Sequence, residues 1–348
     1  MPELFVTNFN RNFTGVSATA ANVIRQQAKT LDLALVGHPL PGCPDPISPR
    51  TARTLSRTPP PGRPFAIWHV RRNLEMRAAI WARDVLRLPI RIVFTSAAQR
   101  LHSLYPRWLI SRMDAVIATT DTAAGFVPHV RAVVPHGVDT DRFTPAPDRA
   151  AAWAALGHGG SFGIASIGRV RPEKGTDIFV DAMLRLLPDL PGAVALVVGR
   201  AGKEHHRFDL DLKDRVQRAG MANRIRFTGE IPAQDLPGLM RALSLVVQLP
   251  RYEGYGMVPL EAMASATPFV GSDAGWFRAF SADGQCGTVV PDQMPAAAAE
   301  AVRAILTDPA RHATMCKAAR NTAIKDFSAA TEATAITAVY NRLWLQSG

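Results

Sequence analysis

Apolar positions along the chain follow two alternating patterns. Short runs rich in Val, Ile, Leu and Phe are separated by stretches in which apolar residues return every three or four positions, as buried parallel strands joined by amphipathic helices would require. A first series predicts strands at residues 4–7, 33–36, 65–68, 91–94, 115–118 and 132–134, and a second at 162–167, 193–198, 225–228, 245–248, 268–270 and 288–290. This alternation predicts an α/β fold of two Rossmann-like domains. Between the series, residues 135–147 carry Pro, Gly, Asp and Thr in place of either period and mark a boundary, giving expected domains at 1–140 and 141–327. The final segment, 328–348, places Ile336, Val339, Tyr340, Leu343 and Trp344 on one helical stripe that needs a docking surface.

Two stretches of the first series stand apart. Residues 39–64 hold nine prolines in 26 positions, which predicts a long surface loop without a regular helix or central strand. After the third strand, Leu74, Ala78, Trp81, Val85 and Leu88 recur on one helical face, read either as core or as facing a membrane.

Composition narrows the class. The chain has 348 residues, 47% hydrophobic and 20% charged, which excludes a disordered or collagen-like polymer. No apolar run approaches the ~18 residues of a membrane span. Polar residues interrupt the first 13 positions where a secretory signal would be continuously apolar, and Cys43, Cys286 and Cys316 are far apart without metal-ligand spacing. The expectation is a cytoplasmic protein with reduced thiols. Its charge is uneven: residues 1–150 hold 19 Lys and Arg against 10 Asp and Glu, and Arg50 to Arg112 contain 13 Arg opposed only by Glu75 and Asp84. Arginine grips carboxylates and phosphates through a planar fork, so an anionic partner is one reading and a solvated basic face the other. No RNA-binding, zinc-finger or basic-zipper signature accompanies the charge, so nucleic acid is not expected.

Ligands of open α/β sheets bind outside the carboxyl ends of the strands, where loops meet helix N-termini. After the strand ending at Ile167 comes Gly168-Arg169-Val-Arg-Pro-Glu-Lys174-Gly175, whose Arg169 and Lys174 suit a pyrophosphate. After the strand at 245–248 comes Arg251-Tyr-Glu253-Gly254-Tyr255-Gly256-Met257-Val258-Pro259-Leu-Glu261. Pro259 suits a first helical turn, Gly254 and Gly256 permit close backbone approach, and the helix start offers N–H donors to an anion. Glu253 before the turn and Glu261 in the first turn offer carboxylates to sugar hydroxyls; the ordinary alternatives are a solvent-facing Glu253 and dipole compensation by Glu261.

The E-x7-E run from Glu253 to Glu261, the Gly168-Arg-x4-Lys174-Gly block and His136-Gly-Val-Asp139 together resemble glycosyltransferase family 4, over nearly the whole chain. The first half is similar, more narrowly, to lipopolysaccharide core mannosyltransferases through Trp68-His69-Val-Arg71-Arg72-Asn73-Leu-Glu-Met76 and Val93-Phe-Thr-Ser-Ala-Ala-Gln99-Arg100-Leu-His102. The resemblance implies a GT-B fold, two Rossmann-like domains facing a cleft, with the terminal helix docking back on the N-terminal domain. It implies retaining transfer of mannose from GDP-mannose to an acidic sugar (Kdo) of the lipopolysaccharide inner core, at the cytoplasmic face of the inner membrane. Arg169 and Lys174 would neutralise the leaving diphosphate, so no metal or other cofactor is expected. Glu253 would hold the donor sugar, Glu261 the ribose, the backbone from Gly254 to Val258 the phosphates, and the loop at Ile231 the base. Gly15, after the first strand, would admit donor phosphate or acceptor, or else form an ordinary tight turn.

His69, Arg71, Arg72, Asn73, Gln99 and Arg100 are the implied acceptor residues, with an anionic glycolipid and an anionic membrane surface as partners. Two departures from the family pattern matter. Phe94 stands where many members have a His before Thr95-Ser96, which leaves His102 or His69 as substitutes. Ala266 stands where Gly commonly ends the signature helix, so an altered helix end is expected. Asp139-Thr-Asp141 and Asp209-Leu-Asp211 are read as structural, not as metal-binding D-x-D motifs. The alternatives are a family member using a UDP- or ADP-sugar with a soluble phosphorylated acceptor and, lower, a non-catalytic basic module binding nucleic acid or anionic membrane.

Overall fold

Val, Ile, Leu and Ala runs that alternate with helices become two separate parallel sheets. The computed structural model describes residues 1–12 and 14–346; Ser347 and Gly348, the end of the predicted terminal segment, lie outside it. Strands β1 (Leu4–Asn8), β2 (Leu33–Gly37), β3 (Ala66–Val70), β4 (Ile90–Ser96), β5 (Ala115–Ala118) and β6 (Val130–Val133) form one sheet in the order β2-β1-β3-β4-β5-β6. Strands β7 (Phe162–Ile167), β8 (Ala193–Val198), β9 (Ile225–Gly229), β10 (Leu243–Gln248), β11 (Phe269–Ser272) and β12 (Gly287–Val290) form the other, in the order β12-β11-β10-β7-β8-β9. The chain divides into two compact units, Met1–Gly137 with the chain from Phe327 onward, and Val138–Asp326. Each is an α/β unit of Rossmann-like design.

In the first unit, the two sheet faces bury different sets of side chains. Val6, Ile67, Val93 and Ile117 face the helix Gly15–Gln27 and the terminal helix Ala329–Leu345. Phe5, Trp68, Phe94 and Val116 face Met76, Ala79 and Ala82 on the opposite side. The stripe of Ile336, Val339, Tyr340, Leu343 and Trp344 is buried in the first of these clusters, and Trp344 Nε1 donates to the Phe65 carbonyl at 3.0 Å. Glu332, at the start of that helix, accepts from His136 Nδ1 at 2.8 Å and from the Gly137 N–H at 2.7 Å. Tight packing accompanies this contact, because a Cβ on Gly137 would lie 2.3 Å from the Ser328 carbonyl oxygen. His136-Gly137 therefore acts as a structural clasp on the terminal helix.

Three expectations are corrected here. The proline-rich stretch holds a helix, Pro49–Leu55, because residues 50–58 contain no proline, Pro49 occupies a first-turn position, and Ser48 Oγ accepts from the Thr51 N–H at 3.0 Å. The third strand runs on to Val70, since His69 and Val70 pair with Val93 and Phe94, so His69 is a strand residue. The apolar stripe after that strand is not core. Leu74, Trp81 and Val85 are 56%, 45% and 63% exposed, while Glu75, Met76, Ala79 and Ala82 are buried instead. Small Ala79 and Ala82 let the helix Asn73–Ile80 and the π-helical turn Trp81–Val85 lie close to the sheet, which turns the bulky side chains outward.

Candidate active site

In the second sheet the order reverses between β7 and β10, and a reversal of this kind opens a crevice at the carboxyl ends of the strands. Both sequence motifs leave the sheet there. Past β7, Arg169 is exposed and the 3-10 turn Pro172–Lys174 leads through left-handed Gly175 into the helix Thr176–Leu186. Past β10, Glu253 accepts at Oε2 from Lys174 Nζ at 2.6 Å and at Oε1 from the Gly254 N–H at 3.0 Å. The two loops are also bound through Arg251, which donates to both carboxylate oxygens of Asp177, at 2.9 and 2.7 Å. This pairing holds the Asp177 carboxyl below its ordinary range, against the opposing effect of its burial. A cavity of about 10 Å³, room for one water, is lined by Arg169, Lys174, Thr176 and Gln248, whose Nε2 is buried without a partner among the described residues.

Gly256 is required by the fold itself. Its φ of 101° lies in the left-handed region, and a Cβ there would come within 2.1 Å of Phe277. It caps the helix Met257–Ala264, whose first N–H groups have no intrahelical acceptor and carry the positive end of the helix dipole. Tyr255 is buried, with its ring against Trp276 and Phe280, so only its backbone can serve a ligand. Because the helix starts at Met257, Glu261 stands in the second turn, not the first as the sequence reading had it, and dipole compensation is a poor account of it. Desolvation raises its carboxyl to about 7 although Arg142 pulls the other way. Ile231 is partly exposed just past β9, two strands from β7.

The first unit has its own reversal, between β1 and β3. Gly15 opens the helix that follows β1, which removes the tight turn offered as its ordinary alternative; its φ is not left-handed, and a Cβ would meet nothing within 4 Å. Arg72 joins this point to β3, donating to Thr14 Oγ1 (3.2 Å) and Ser17 Oγ (2.9 Å) through Nη2, and to Asn8 Oδ1 and Glu75 Oε1 (both 3.0 Å) through Nη1. Glu75 also receives the Phe9 N–H, the Thr7 hydroxyl and the Arg71 N–H. Arg72 thus ties the ends of β1 and β3 together, and its side chain remains partly exposed.

His69, read as an acceptor residue, is corrected. It is fully buried, with Nδ1 2.5 Å from the Tyr340 hydroxyl and Nε2 2.7 Å from Thr95 Oγ1, and burial pushes its pKa well below the ordinary value, so it is a neutral core link. Asn73 is exposed at the start of its helix, and Gln99, Arg100 and His102 lie between β4 and the helix Leu104–Ser111. His102 Nε2 is buried without a partner, and burial and Arg100 lower its pKa. Asp139 Oδ1 accepts from the N–H groups of Asp141 and Arg142, and Asp209 pairs with Lys213 at 2.6 Å, so both D-x-D sequences have local partners. Sequence reasoning missed the role of Glu332, which lies 196 residues from its His136 partner.

Two Rossmann-like sheets, with basic and acidic groups at the reversal point of the second, define a GT-B-type glycosyltransferase. Residues 154–322 match the family model described as glycosyl transferases group 1. The chain is 40% identical over 347 residues to the lipopolysaccharide core biosynthesis mannosyltransferase LpsB of Rhizobium meliloti, covering 98% of this chain and 97% of that protein. It is also 40% identical over 344 residues to the mannosyltransferase LpcC of Rhizobium leguminosarum, covering 98% and 96%. Anabaena HepE, solved with UDP and glucose, superimposes with a TM-score of 0.82 at 17% identity, covering 98% of this chain and 100% of that one, a likeness of fold. The chain belongs to the group 1 glycosyltransferases.

Proposed function

We propose that the protein is a retaining mannosyltransferase that moves mannose from GDP-mannose to an acidic sugar, Kdo, of the lipopolysaccharide inner core. The observation that carries the reading is the Lys174–Glu253 pair, 2.6 Å apart and beside Arg169 at the reversal point of the second sheet. Two cations there can take the charge that builds on a departing diphosphate, stabilising the transition state without requiring a metal ion. On this reading the carboxylate bridged to one of those cations accepts from donor-sugar hydroxyls. The transferase class and the mannosyl activity of relatives 40% identical over nearly their full length support the choice of sugar. On this reading the diphosphate leaves and the acceptor enters on the same face of the sugar, a diphosphate oxygen takes the acceptor's proton, and no Asp or Glu acts as nucleophile.

The acceptor assignment rests on charge. Arg50, Arg53, Arg57, Arg77, Arg87, Arg100 and Arg107 have no acidic partner among the described residues. A cavity of about 510 Å³ between the helices Asn73–Ile80 and Leu104–Ser111 is lined by Leu74, Trp81, Val85, Tyr105 and Trp108, with Arg53 and Arg77 among its walls. An apolar and aromatic face rimmed by arginine suits an anionic leaflet carrying the acceptor lipid. No helix among the described residues is long and apolar enough to cross a membrane, so attachment on this reading is peripheral.

Calorimetric titration with GDP, UDP and ADP, each with and without EDTA, tests the donor. GDP is expected to bind at least tenfold tighter than the others, with EDTA making no difference, and GDP-mannose should then label Kdo-containing lipid. Preference for UDP or ADP removes mannose transfer and favours a soluble phosphorylated acceptor; dependence on a divalent cation removes the proposed role of Arg169 and Lys174.

A further inference from the structure

Arg71 follows β3 and is only 9% exposed, yet Nε and Nη1 of its guanidinium are buried with no hydrogen-bond partner among the described residues. Burial works against its charge while Tyr340, Glu332 and Glu75 favour it, but both carboxylates are engaged at both oxygens by other donors. A buried cation with no hydrogen-bonded anion is costly, and a fold that keeps one has either a ligand for it or a defect. A second orphan on the same edge of the sheet favours the ligand. Thr119, fully buried and just past β5, has no partner for Oγ1 among the described residues.

Register brings the two into relation. Val70 pairs with Phe94 and Thr95 with Ile117, so Arg71 follows β3 level with Thr95, and Thr119 follows β5 two residues beyond Ile117. Strand alternation puts all three on the face that holds Ile67, Val93 and Ile117. Thr95 between them is already bonded to His69. Arg71 and Thr119 are thus two strand spacings apart and two residues out of step, about 12 Å between backbones. An extended arginine and one small anion can bridge that span.

We propose that Arg71 and Thr119 form an oxyanion site at the carboxyl end of β3–β5, which receives the carboxylate or phosphate of the acceptor sugar; the proposal rests on acceptor binding by this unit. The site explains selectivity as well as affinity. A neutral sugar would leave the guanidinium unpaired, and a site whose polar groups are left unpaired rejects its ligand strongly.

The test uses the full chain, as wild type, Arg71→Met, Arg71→Lys and Thr119→Val. Thermal unfolding and calorimetric titration are run with Kdo, its methyl ester and inorganic phosphate. Wild type should bind Kdo at least tenfold tighter than the ester. Arg71→Met should erase that difference, Arg71→Lys should keep part of it, and Thr119→Val should reduce it several-fold. Without ligand, Arg71→Met should melt above wild type, because the unpaired cation is gone. Phosphate displacing Kdo identifies a general oxyanion site, and failure to displace it identifies a carboxylate site; either supports the proposal.

The proposal is overturned if wild type does not distinguish Kdo from its ester, or if Arg71→Met distinguishes them as wild type does. It is also overturned if Arg71→Met melts lower and Arg71→Lys restores the melting temperature, which would make Arg71 a structural tie. Arg71-dependent discrimination with no mannose transfer and no preference for GDP would remove the function proposed above and leave this site standing.

Discussion

Glu261 shows how one carboxyl can report on both stability and binding. Its pKa, about 7 against an ordinary 4.5, is raised by desolvation, so the folded protein retains a proton that the unfolded chain releases. The associated stabilisation is fully present below pH 4.5 and is lost as pH rises through 7. Glu261→Gln should therefore melt above wild type at pH 8, by an amount on the order of 1–3 kcal/mol, and converge with it near pH 5. If the ionised carboxylate holds the ribose, nucleotide affinity of wild type should strengthen as pH rises through 7, and the Gln variant should be weaker and flat across that range. A Gln variant that keeps the wild-type pH dependence would mean that another group titrates.

Helix ends and helix faces decide matters that single residues do not. At the end of the helix Met257–Ala264, Ala266 adopts a φ of 57°, so the left-handed cap survives without glycine, and the expected change of geometry does not occur. The cap persists because the Ala266 N–H reaches the Met263 carbonyl, the Thr267 N–H reaches that of Ala262, and Arg149 Nη2 donates to the Ala266 carbonyl at 2.6 Å. An L-residue pays about 1–2 kcal/mol for this conformation. Ala266→Gly should raise stability by about 0.5–1 kcal/mol, after allowance for the greater freedom of glycine in the unfolded chain, and leave nucleotide affinity unchanged. Denaturant titration checks it; a lower midpoint would show that the Ala methyl makes a packing contribution larger than the strain. The helix Asn73–Ile80 makes the complementary point, since its sequence shows two usable faces and the sheet accepts the smaller one.

Charge acts at the scale of the molecule. With a net +10 over residues 1–137 and 327–348 and +1 over residues 138–326, attraction to an anionic surface belongs to the first unit. Cosedimentation with vesicles containing phosphatidylglycerol should exceed that with neutral vesicles and should fall between 0.1 and 0.5 M salt, since the Debye length shortens from about 10 Å to about 4 Å. Replacing Trp81 and Trp108 by Ser should weaken the residual salt-resistant part. Equal binding to both vesicle types, insensitive to salt, would remove electrostatic docking and leave the apolar face without its proposed partner.

The two kinds of information divide along sequence separation. Hydrophobic period and the strand–turn–helix motifs at 168–175 and 253–261 were legible because each is a local device: a strand end, a glycine that permits the turn, and a helix start carry their chemistry within a dozen residues. From these came the two α/β series, the separation of the chain near Gly137 and the grouping of Arg169, Lys174 and Glu253. Contacts across long stretches of chain were not legible. That Tyr340 fills the ring hydrogen bond of His69, 271 residues away, makes a candidate acceptor histidine into core. Pairing of Arg72 with Glu75, Thr14 and Ser17, the outward turn of Trp81 and the orphaned Arg71 all depend on which strand end lies beside which. Period specifies that a face is apolar, whereas only the packed neighbours decide whether that face, or the charge beside it, is covered.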